Sequence, residues 1–326
     1  MKATIEKLVS GIHSERTYPW GLQVKDSLDP KNGVQKRLAF LIALILSVIL
    51  LSPENSFSQL PPGDNTRSGG LEIKANDGDP YDYFGQSVAI NNDWVIVGAY
   101  NDEINGVDQA GSAYVFHPGA SWPQHTKLTS SYIYAGAGDH FGWSVSVSDN
   151  YAVVGAPWST TYGVGSGVAC IFRLSDMTQT EVIDMGQYYA QNGDEFGASL
   201  ALDIANPYDG KTVIVGAPGH NIGDETSAGM ACVFYRNFML ESWSLQTRLT
   251  ASDFEQGGSF GCSVDLYLEY YGGHEDENFI VGAKNHDIGN ATAAGAAYIY
   301  HHDLTLYQRV EIKLTAPDYH AEAYFD

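Results

Sequence analysis

The sequence predicts an all-β protein made of repeated four-stranded units, which is the arrangement of a β-propeller. Two dipeptides and the runs around them lead to this prediction. A Phe-Gly pair occurs four times at a long period, and a Gly-Ala pair follows each copy. Short strand-like runs fill the intervals, and after residue 60 no segment shows a sustained helical period.

The repeated pairs mark the start and the middle of each unit. The pairs are Phe84-Gly85 with Gly98-Ala99, Phe141-Gly142 with Gly155-Ala156, Phe196-Gly197 with Gly216-Ala217, and Phe260-Gly261 with Gly282-Ala283. Successive Phe residues are 55 to 64 residues apart, and self-similarity at a long period indicates a repeat architecture. Four copies with matching surroundings do not fit chance dipeptides in a Gly-rich chain.

Each unit supplies four short runs that are rich in β-branched and aromatic residues and bounded by turn residues. In the first unit they are FGQSVAI (84–90), WVIVGA (94–99), GSAYVF (111–116) and TKLTS (126–130). The third and fourth runs recur in the later units. We therefore expect blades at about 84–130, 141–184, 196–252 and 260–317, within a repeat domain of 71–326.

The two dipeptides have a physical explanation in this architecture. Blades stack face to face around an axis, so their inner strands are crowded, and Gly and Ala let neighbouring backbones approach closely. The Phe side chain is predicted to fill the wedge between blades as they splay outwards. Apolar residues on both faces of the first two strands predict sheets that are buried on both sides.

The two ends of the repeat region each carry a copy of the fourth strand, and this indicates how many blades the chain supplies. LEIKAND (71–77) resembles EIKLTAPD (311–318), so a fourth strand precedes the first unit and another follows the last one. We expect four blades of a longer ring, with the chain truncated at its C-terminus. A self-sufficient four-blade ring is the alternative. An open series would expose two blade faces and favour self-association.

The N-terminal segment predicts export to the cell surface or the medium. A Lys-Arg pair precedes the apolar run LAFLIALILSVILL (38–51), and small residues follow it, as in a signal peptide. The run is short for a spanning helix, so we expect cleavage near Gln59, with an uncleaved membrane anchor as the alternative. Residues 1–58 then form an extended signal segment, and 59–70 form a flexible leader rich in Pro and Gly.

Composition narrows the classes of function. The formal net charge of −22 argues against nucleic acid as a partner, because phosphates would be repelled. Three cysteines do not make a disulfide scaffold. The sequence contains no GxSxG, HExxH, P-loop or CxxC motif. We therefore expect a protein that is not an enzyme and has no catalytic residue.

These repeats resemble the FG-GAP repeat of integrin α-subunit propellers and of many secreted bacterial proteins, and the bacterial form is the more similar. The resemblance covers about residues 71–325. It implies a propeller, usually of seven blades, that acts outside the cytoplasm in adhesion and binds an extracellular protein or glycan. The alternative is the propeller portion of an exported hydrolase, with its active site on an acidic rim or in a missing region.

The chain departs from the integrin-type repeat where that repeat places a calcium loop between the two dipeptides. The corresponding turns read NND (91–93), SDN (148–150), DIANPYDG (203–210) and YYGGHEDEN (270–278). The first two are too tight to surround a calcium ion with six or more oxygens. Asp203 and Asp209 in the third are weak metal candidates, and the acidic run of the fourth reads as a solvated turn. We expect no cofactor and leave calcium open.

Acidic residues stand instead before Phe-Gly and after Gly-Ala. In antiparallel blades the turns from strand 4 to strand 1 and from strand 2 to strand 3 open at the same end. The carboxylates should then gather on one rim, the face that integrin-type propellers use for ligands; simple solubility is the alternative role. The candidates are Asp77, Asp79, Asp102, Glu103, Asp108, Asp139, Asp194, Asp224, Glu225, Asp253 and Asp287.

The cysteines are predicted to be structural. Cys170 and Cys232 occupy the position in the third strand at which the other units carry Tyr114 and Tyr298. They are expected to be buried small apolar residues, as is Cys262, which follows a Phe-Gly pair.

Overall fold

The structure is a computed structural model. It describes residues 72–117, 123–131, 136–187, 189–203, 211–237, 242–271, 274–303 and 308–316, without the side chains of 237, 269–271, 274–276, 302–303 and 308–309. The predicted signal segment (1–58), the leader (59–70) and Asp209 lie outside the described residues.

Each repeat unit folds into one four-stranded antiparallel sheet with its strands in chain order, which confirms the all-β propeller blades. Blade 1 contains β1 (Val88–Ile90), β2 (Val95–Ala99), β3 (Ser112–Phe116) and β4 (Gln124–Leu128). Blade 2 contains β5 (Ser144–Ser148), β6 (Tyr151–Ala156), β7 (Val168–Arg173) and β8 (Thr178–Ile183). Blade 3 contains β9 (Ser199–Asp203), β10 (Lys211–Ala217), β11 (Met230–Asn237) and β12 (Ser242–Leu249). Blade 4 contains β13 (Phe260–Tyr271), β14 (His274–Ala283), β15 (Ala296–Asp303) and β16 (Gln308–Leu314).

The part of the chain that the structure describes contains no helix, and so no helix that is long and apolar enough to cross a membrane.

The Phe-Gly pairs were expected at the start of the first strand. In blades 1 to 3 they lie instead in the turn before it, and only β13 begins at its Phe. The reason is the backbone of the glycine, whose φ of +90° to +99° in all four copies does not fit a regular strand; in β13 the pairing is interrupted at this glycine, between Phe260 and Ser263.

The first two turns between strands 1 and 2 are tight, as predicted. In blade 1 the Asn91 Oδ1 atom accepts hydrogen bonds from the backbone N–H groups of Asp93 (2.9 Å) and Trp94 (2.8 Å). In blade 2 the turn has only two residues, and Asp149 adopts a φ of +47°, as two-residue hairpins require. In the first turn the Asn91 side-chain oxygen therefore accepts hydrogen bonds from backbone N–H groups of the turn and is not directed at a cation.

The prediction of a solvated turn over the acidic run of blade 4 is wrong. Strands β13 and β14 keep pairing as far as Tyr271 opposite His274, so the run belongs to a strand. Glu277 is only 2% exposed, and its carboxylate accepts hydrogen bonds from the Gln246 Nε2 atom at 3.2 and 3.3 Å. Packing against the fourth strand of blade 3 buries a side chain that local composition would leave in water.

The close approach of neighbouring blades at the Gly-Ala pairs is confirmed. A Cβ atom added to the glycine of this pair would lie about 2 Å from the carbonyl oxygen of the next blade's Phe-Gly glycine. The distances are 2.0 Å for Gly98 to Gly142, 2.2 Å for Gly155 to Gly197, and 2.0 Å for Gly216 to Gly261. The same carbonyls accept hydrogen bonds from Ser87, Ser144 and Ser199 at 2.7 to 2.8 Å. One contact thus recurs at each of the three junctions.

The Phe side chains fill the junctions as predicted. Phe141, Phe196 and Phe260 are at most 1% exposed. Phe141, for example, packs in one cluster with Ile96 of blade 1 and Phe172 of blade 2. Phe84, in contrast, is half-buried, because no described blade precedes it.

The outer faces of blades 1 and 4 do not follow the prediction of burial on both sides. Val88 and Ile90 of β1 are each 69% exposed, and Ile280 of β14 is 40% exposed. In the fourth strand β16, to which the prediction does not extend, Val310 and Ile312 are about half exposed. Strands of the same composition are buried where a neighbouring blade covers them. Ile73 partly replaces such a blade, since it packs against the cluster that contains Tyr114 and Phe116.

Candidate functional site

The loops that carry the acidic residues meet at one end of the blades, as the antiparallel order predicts. We call the loop from strand 2 to strand 3 of a blade the 2–3 loop, and the loop that leads from the previous blade's strand 4 to strand 1 the 4–1 loop. In blade 3 the backbone N–H of Gly219 in the 2–3 loop donates to the carbonyl of Asp194 in the 4–1 loop (3.1 Å). Between blades, the N–H of Gly138 donates to the Asp108 carbonyl (3.1 Å), and that of Gly257 to Thr226 (2.8 Å). We call this end of the blades, formed by the 4–1 and 2–3 loops, the loop end.

Three of the candidate carboxylates are buried and do not face a ligand. Asp102, Asp139 and Asp194 are at most 5% exposed. Asp139 accepts a hydrogen bond from the backbone N–H of Gly136 (2.7 Å), and Asp194 accepts one from that of Gln191 (2.6 Å). Asp139 and Asp194 therefore each close their own loop three residues back, which gives them a structural role, whereas Asp102 binds side chains of its own blade.

The sequence contains a pattern that indicates this loop-closing role, but the many other acidic residues of the loops obscured it. An Asp stands two residues before Phe in three of the four units, and the first of these, Asp82, was not among the candidates. Asp82 is buried and accepts a hydrogen bond from the N–H of Asp79 (2.6 Å). Burial raises the pKa of Asp82 and of Asp139 above the usual range, and the backbone hydrogen bond only partly offsets it.

Asp77 belongs to a polar cluster in blade 1. Its carboxylate binds the Tyr114 hydroxyl (2.9 Å) and the Lys127 ammonium (2.8 Å). The buried Asp102 accepts from the same two groups, at 3.0 and 2.7 Å, and from Ser112 at 2.5 Å. The hydrogen bond with Lys127 is the main cause that lowers the pKa of Asp77. These two carboxylates hold the third and fourth strands to the loop end.

Blade 4 repeats the cluster with one exchange. Asp253 accepts hydrogen bonds from the Tyr298 hydroxyl (2.7 Å) and the Lys313 ammonium (2.6 Å). In the place of Asp102 stands His286, whose ring lies 3.4 Å from Asp253 and 3.2 Å from Glu255. Tyr and Lys occur together in blades 1 and 4, whereas blades 2 and 3 carry Cys at the Tyr position. The polar cluster is therefore found in the blades whose third strand carries a tyrosine.

Four candidates remain as exposed carboxylates with no hydrogen bond or ion pair to the described residues. They are Asp79, Glu103, Asp108 and Asp224. Glu225 is half-buried, and Asp287 is exposed while its Oδ1 atom accepts from the N–H of Ala293 (2.8 Å). These six residues form the acidic surface of the loop end.

The weak metal candidates are not brought together by anything that the structure describes. Asp203 ends β9, and its carboxylate accepts a hydrogen bond from the backbone N–H of Leu268 in blade 4 (3.3 Å). Within the described ranges no group of three or more His, Cys, Asp or Glu side chains is placed to hold a metal ion.

A pocket of about 420 Å³ opens at the loop end between blades 2, 3 and 4. Its wall is built from residues next to the Phe-Gly and Gly-Ala pairs, which explains why three blades contribute to it. Trp143, Trp158, Glu195, Cys262, Lys284 and Asn285 are among the lining residues. Gly219 fits here only because it has no side chain, since a Cβ atom would lie 1.8 Å from the Gly193 carbonyl oxygen.

Aromatic rings form one side of this pocket and continue onto blade 1. The Trp143 and Trp158 rings contact each other edge to face, with 4.5 Å between centroids. His140 packs on Trp158 at 4.9 Å, and Tyr100 packs on both His140 (5.1 Å) and Trp143 (4.9 Å). Each of the four rings thus contacts two others, and this fixes the aromatic side in position.

Polar groups, among them Glu195, Lys284 and Asn285, also line the pocket. Burial raises the pKa of Glu195, and the nearby positive charge of Lys284 only partly offsets this. The Asn285 amide donates to the Ser259 hydroxyl (3.1 Å), which leaves its carbonyl oxygen directed elsewhere. No feature of the loop sequences indicated this pocket, because its lining residues come from three units.

The cysteines differ in exposure. Cys170 and Cys232 are fully buried, as predicted, and burial raises the pKa of both thiols to about 12. The prediction is wrong for Cys262, which is half-buried at the pocket. The pairing of β13 shifts between Phe260 and Ser263, and this irregularity turns the intervening residue towards the pocket.

We expect native protein to react with iodoacetamide at Cys262 alone, because the thiolate is the reactive form and the other two thiols are buried and protonated. Mass spectrometry of the labelled peptides measures this. All three cysteines should react in denaturant. Labelling of Cys170 or Cys232 at the rate of Cys262 in the native protein would contradict the described burial.

Comparison with known proteins identifies the repeats in three segments of the chain. A family model for the FG-GAP repeat matches residues 71–116, 122–172 and 243–300. A search of curated protein sequences gives no significant match. Among solved structures, the GH32 beta-fructofuranosidase BmSUC1 of Bombyx mori is similar at 12% identity with a TM-score of 0.40. The similarity covers 70% of this chain and 48% of that one, so the chain spans about half the length of that structure. The matched segments contain the Phe-Gly and Gly-Ala pairs of blades 1, 2 and 4, and the chain is thus a protein with FG-GAP repeats.

Proposed function

We propose that this protein is an exported, non-enzymatic binding module that attaches to an extracellular protein or glycan through the loop end of its blades. One observation supports the proposal most. Loops from all four blades meet at one end, hydrogen bonds tie them to each other, and they carry exposed carboxylates that have no hydrogen bond or ion pair to the described residues. Binding residues on loops that a rigid scaffold positions are the common design of recognition domains.

The charge of the loop end favours a basic or cation-bridged partner. Asp79, Glu103, Asp108 and Asp224 are exposed there, and the whole chain carries a net charge of −22. A concentration of one sign of charge raises the local concentration of opposite charge and accelerates association. The buried Asp82, Asp139 and Asp194 support this surface by closing the loops.

An exported hydrolase is the second candidate, and Glu195 favours it. A carboxyl group whose pKa is raised by burial, at the wall of a pocket, is suited to general acid catalysis. Hydrolysis of glycosidic bonds by the usual mechanism requires a second carboxylate on the opposite side of the substrate. Among the residues that we name at the pocket wall, Glu195 has no such counterpart.

The proposal is tested with two double variants of equal charge change. Asp108→Asn with Asp224→Asn alters the loop end, whereas Asp93→Asn with Asp149→Asn alters the turns at the opposite end. Asn tolerates the positive φ of Asp149, so the control should fold normally. Binding to immobilised poly-L-lysine is measured by biolayer interferometry at low and physiological salt.

We expect the loop-end variant to bind at least about fivefold more weakly, which corresponds to about 1 kcal/mol, and the opposite-end variant to match the wild type. The difference should shrink at higher salt, because exposed charges are screened. Equal losses in the two variants would show that net charge, and not the loop end, attracts the probe. That result would contradict the proposed binding face.

A further inference from the structure

We propose that the pocket at the loop end is a carbohydrate-binding site that takes one or two sugar residues of an extracellular glycan. The proposal rests on the proposed function as a binding module and specifies one ligand class for it. The pocket is lined by Trp143 and Trp158, which we call its aromatic side, and by Glu195, Lys284 and Asn285, which we call its polar side. Its volume of about 420 Å³ lies within the range of small-molecule sites.

The aromatic side provides what the apolar face of a sugar ring requires. Sugar rings present C–H groups on one face, and these pack on the face of an indole ring. Both tryptophans contact each other but are only half-buried, so part of the ring surface is left for a ligand. Tyr100 and His140 hold the two indoles in place, so little side-chain entropy is lost on binding.

The polar side provides hydrogen bonds for hydroxyl groups. Glu195 offers acceptors, Lys284 offers donors, and Asn285 offers a carbonyl oxygen while its amide N–H is bound to Ser259. The described residues place no hydrogen bond or ion pair on the side chains of Glu195 and Lys284. Sugar hydroxyls both donate and accept, so one neutral ligand can satisfy both groups.

The charges disfavour the main rival ligand, a cationic side chain in an aromatic cage. Cation recognition by aromatic rings needs a pocket without a competing positive charge. Lys284 lies at the wall, close enough to act on the pKa of Glu195. A neutral, hydroxyl-rich ligand meets no such repulsion. The exposed carboxylates Asp79, Glu103, Asp108 and Asp224 are not among the residues that line the pocket, and they belong to the acidic surface described above.

The backbone makes the pocket rigid. Gly219 donates to the Asp194 carbonyl, and the Gly193 carbonyl oxygen lies where a side chain at Gly219 would stand. Asp194 is itself held by the N–H of Gln191 and by the His220 ring (3.0 Å). The wall that presents Glu195 is thus fixed by buried hydrogen bonds. Such preorganisation is what a weak, polar ligand needs to bind measurably.

The test uses the methyl glycosides of glucose, galactose, mannose, fucose and N-acetylglucosamine, with the disaccharides cellobiose and diacetylchitobiose. Binding to the full chain is measured by calorimetry, and occupancy is measured by protection of Cys262 from iodoacetamide. The variants are Trp158→Ala and the isosteric Glu195→Gln. Trp94→Ala is the control, because Trp94 lies at the opposite end of blade 1.

We expect at least one sugar of the panel to bind and to slow alkylation of Cys262. Trp158→Ala should weaken that binding about tenfold or more, as truncation of a central aromatic contact does, and Trp94→Ala should not change it. Glu195→Gln keeps the shape of the side chain and removes its charge. It therefore measures the contribution of the Glu195 carboxylate to sugar binding even if Trp158→Ala fails to fold. If no sugar binds and protects Cys262, or if binding is the same in both variants, the proposal is wrong.

Failure of this proposal can be separated from failure of the proposed function. Poly-L-lysine that binds through Asp108 and Asp224 but leaves Cys262 reactive, with no sugar bound, would retain the acidic binding face and overturn the sugar site. Protection of Cys262 by poly-L-lysine alone would overturn the sugar site in favour of a basic peptide ligand. A sugar that binds and is then cleaved, as chromatography of the disaccharides would show, would support the pocket and contradict the non-enzymatic role.

Discussion

Gly216→Ala is expected to destabilise the protein by about 3 kcal/mol or more, at the upper end of the cost of overpacking. An added Cβ would lie 2.0 Å from the Gly261 carbonyl oxygen of the next blade, and backbone atoms cannot move away without separating the two blades. Gly216 has no positive φ, so its own conformation does not disfavour alanine. Urea unfolding followed by fluorescence measures the change in midpoint.

Gly282→Ala is the matched control, because the same position in blade 4 faces no described blade. There the added Cβ would meet the Ser263 Oγ atom at 2.2 Å and Cys262 Sγ at 3.5 Å. A serine hydroxyl can rotate away, so we expect a loss below about 1 kcal/mol. Ser199→Ala combined with Gly216→Ala should remain unstable, since it removes only the serine. Equal losses at Gly216 and Gly282 would contradict the interblade explanation.

Phe196→Ala is expected to cost about 3 to 5 kcal/mol, the usual range for a fully buried phenylalanine. Phe196 is 0% exposed and packs in one cluster with Val153 of blade 2 and Val213 of blade 3. Its removal would leave a cavity at a junction whose backbones are already in contact and cannot collapse further. Denaturant midpoints with unchanged slopes would report this loss.

Phe84→Ala tests whether the cost comes from the junction or from the blade. Phe84 contacts Tyr114 and Phe116 of its own blade at 5.5 and 6.1 Å between ring centroids, but it is only half-buried. We expect less than half of the loss seen at Phe196. A loss at Phe84 as large as that at Phe196 would mean that the phenylalanine stabilises its blade alone.

The fold could be read from the sequence because the repeat makes the same local contact at each junction. Glycine and phenylalanine return at fixed places in the unit, and close approach and wedge filling require those residue types. Burial of Val88 and Ile90 could not be predicted in the same way. Their composition matches that of buried strands, and their exposure depends on whether another blade covers them.

The candidate site was predicted only in outline. Antiparallel order placed the acidic loops at one end, but an aspartate that closes a loop looks the same in sequence as one that faces water. Asp139 and Asp108 illustrate the two cases, since one is buried beneath a backbone hydrogen bond and the other is exposed. The pocket could not be predicted, because Glu195 and Lys284 are neighbours only through the packing of blades.

The central claim is that the loop end is the binding face, and carboxylate footprinting tests it most directly. The full chain is modified with a carbodiimide and an amine, with and without bound poly-L-arginine, whose guanidinium side chains do not couple to the activated carboxylates, and each peptide is quantified by mass spectrometry. We predict that bound probe protects Asp79, Glu103, Asp108 and Asp224, while Asp93 and Asp149 at the opposite end react as before. Protection of Asp93 and Asp149 equal to or greater than that of the loop-end residues would contradict the claim.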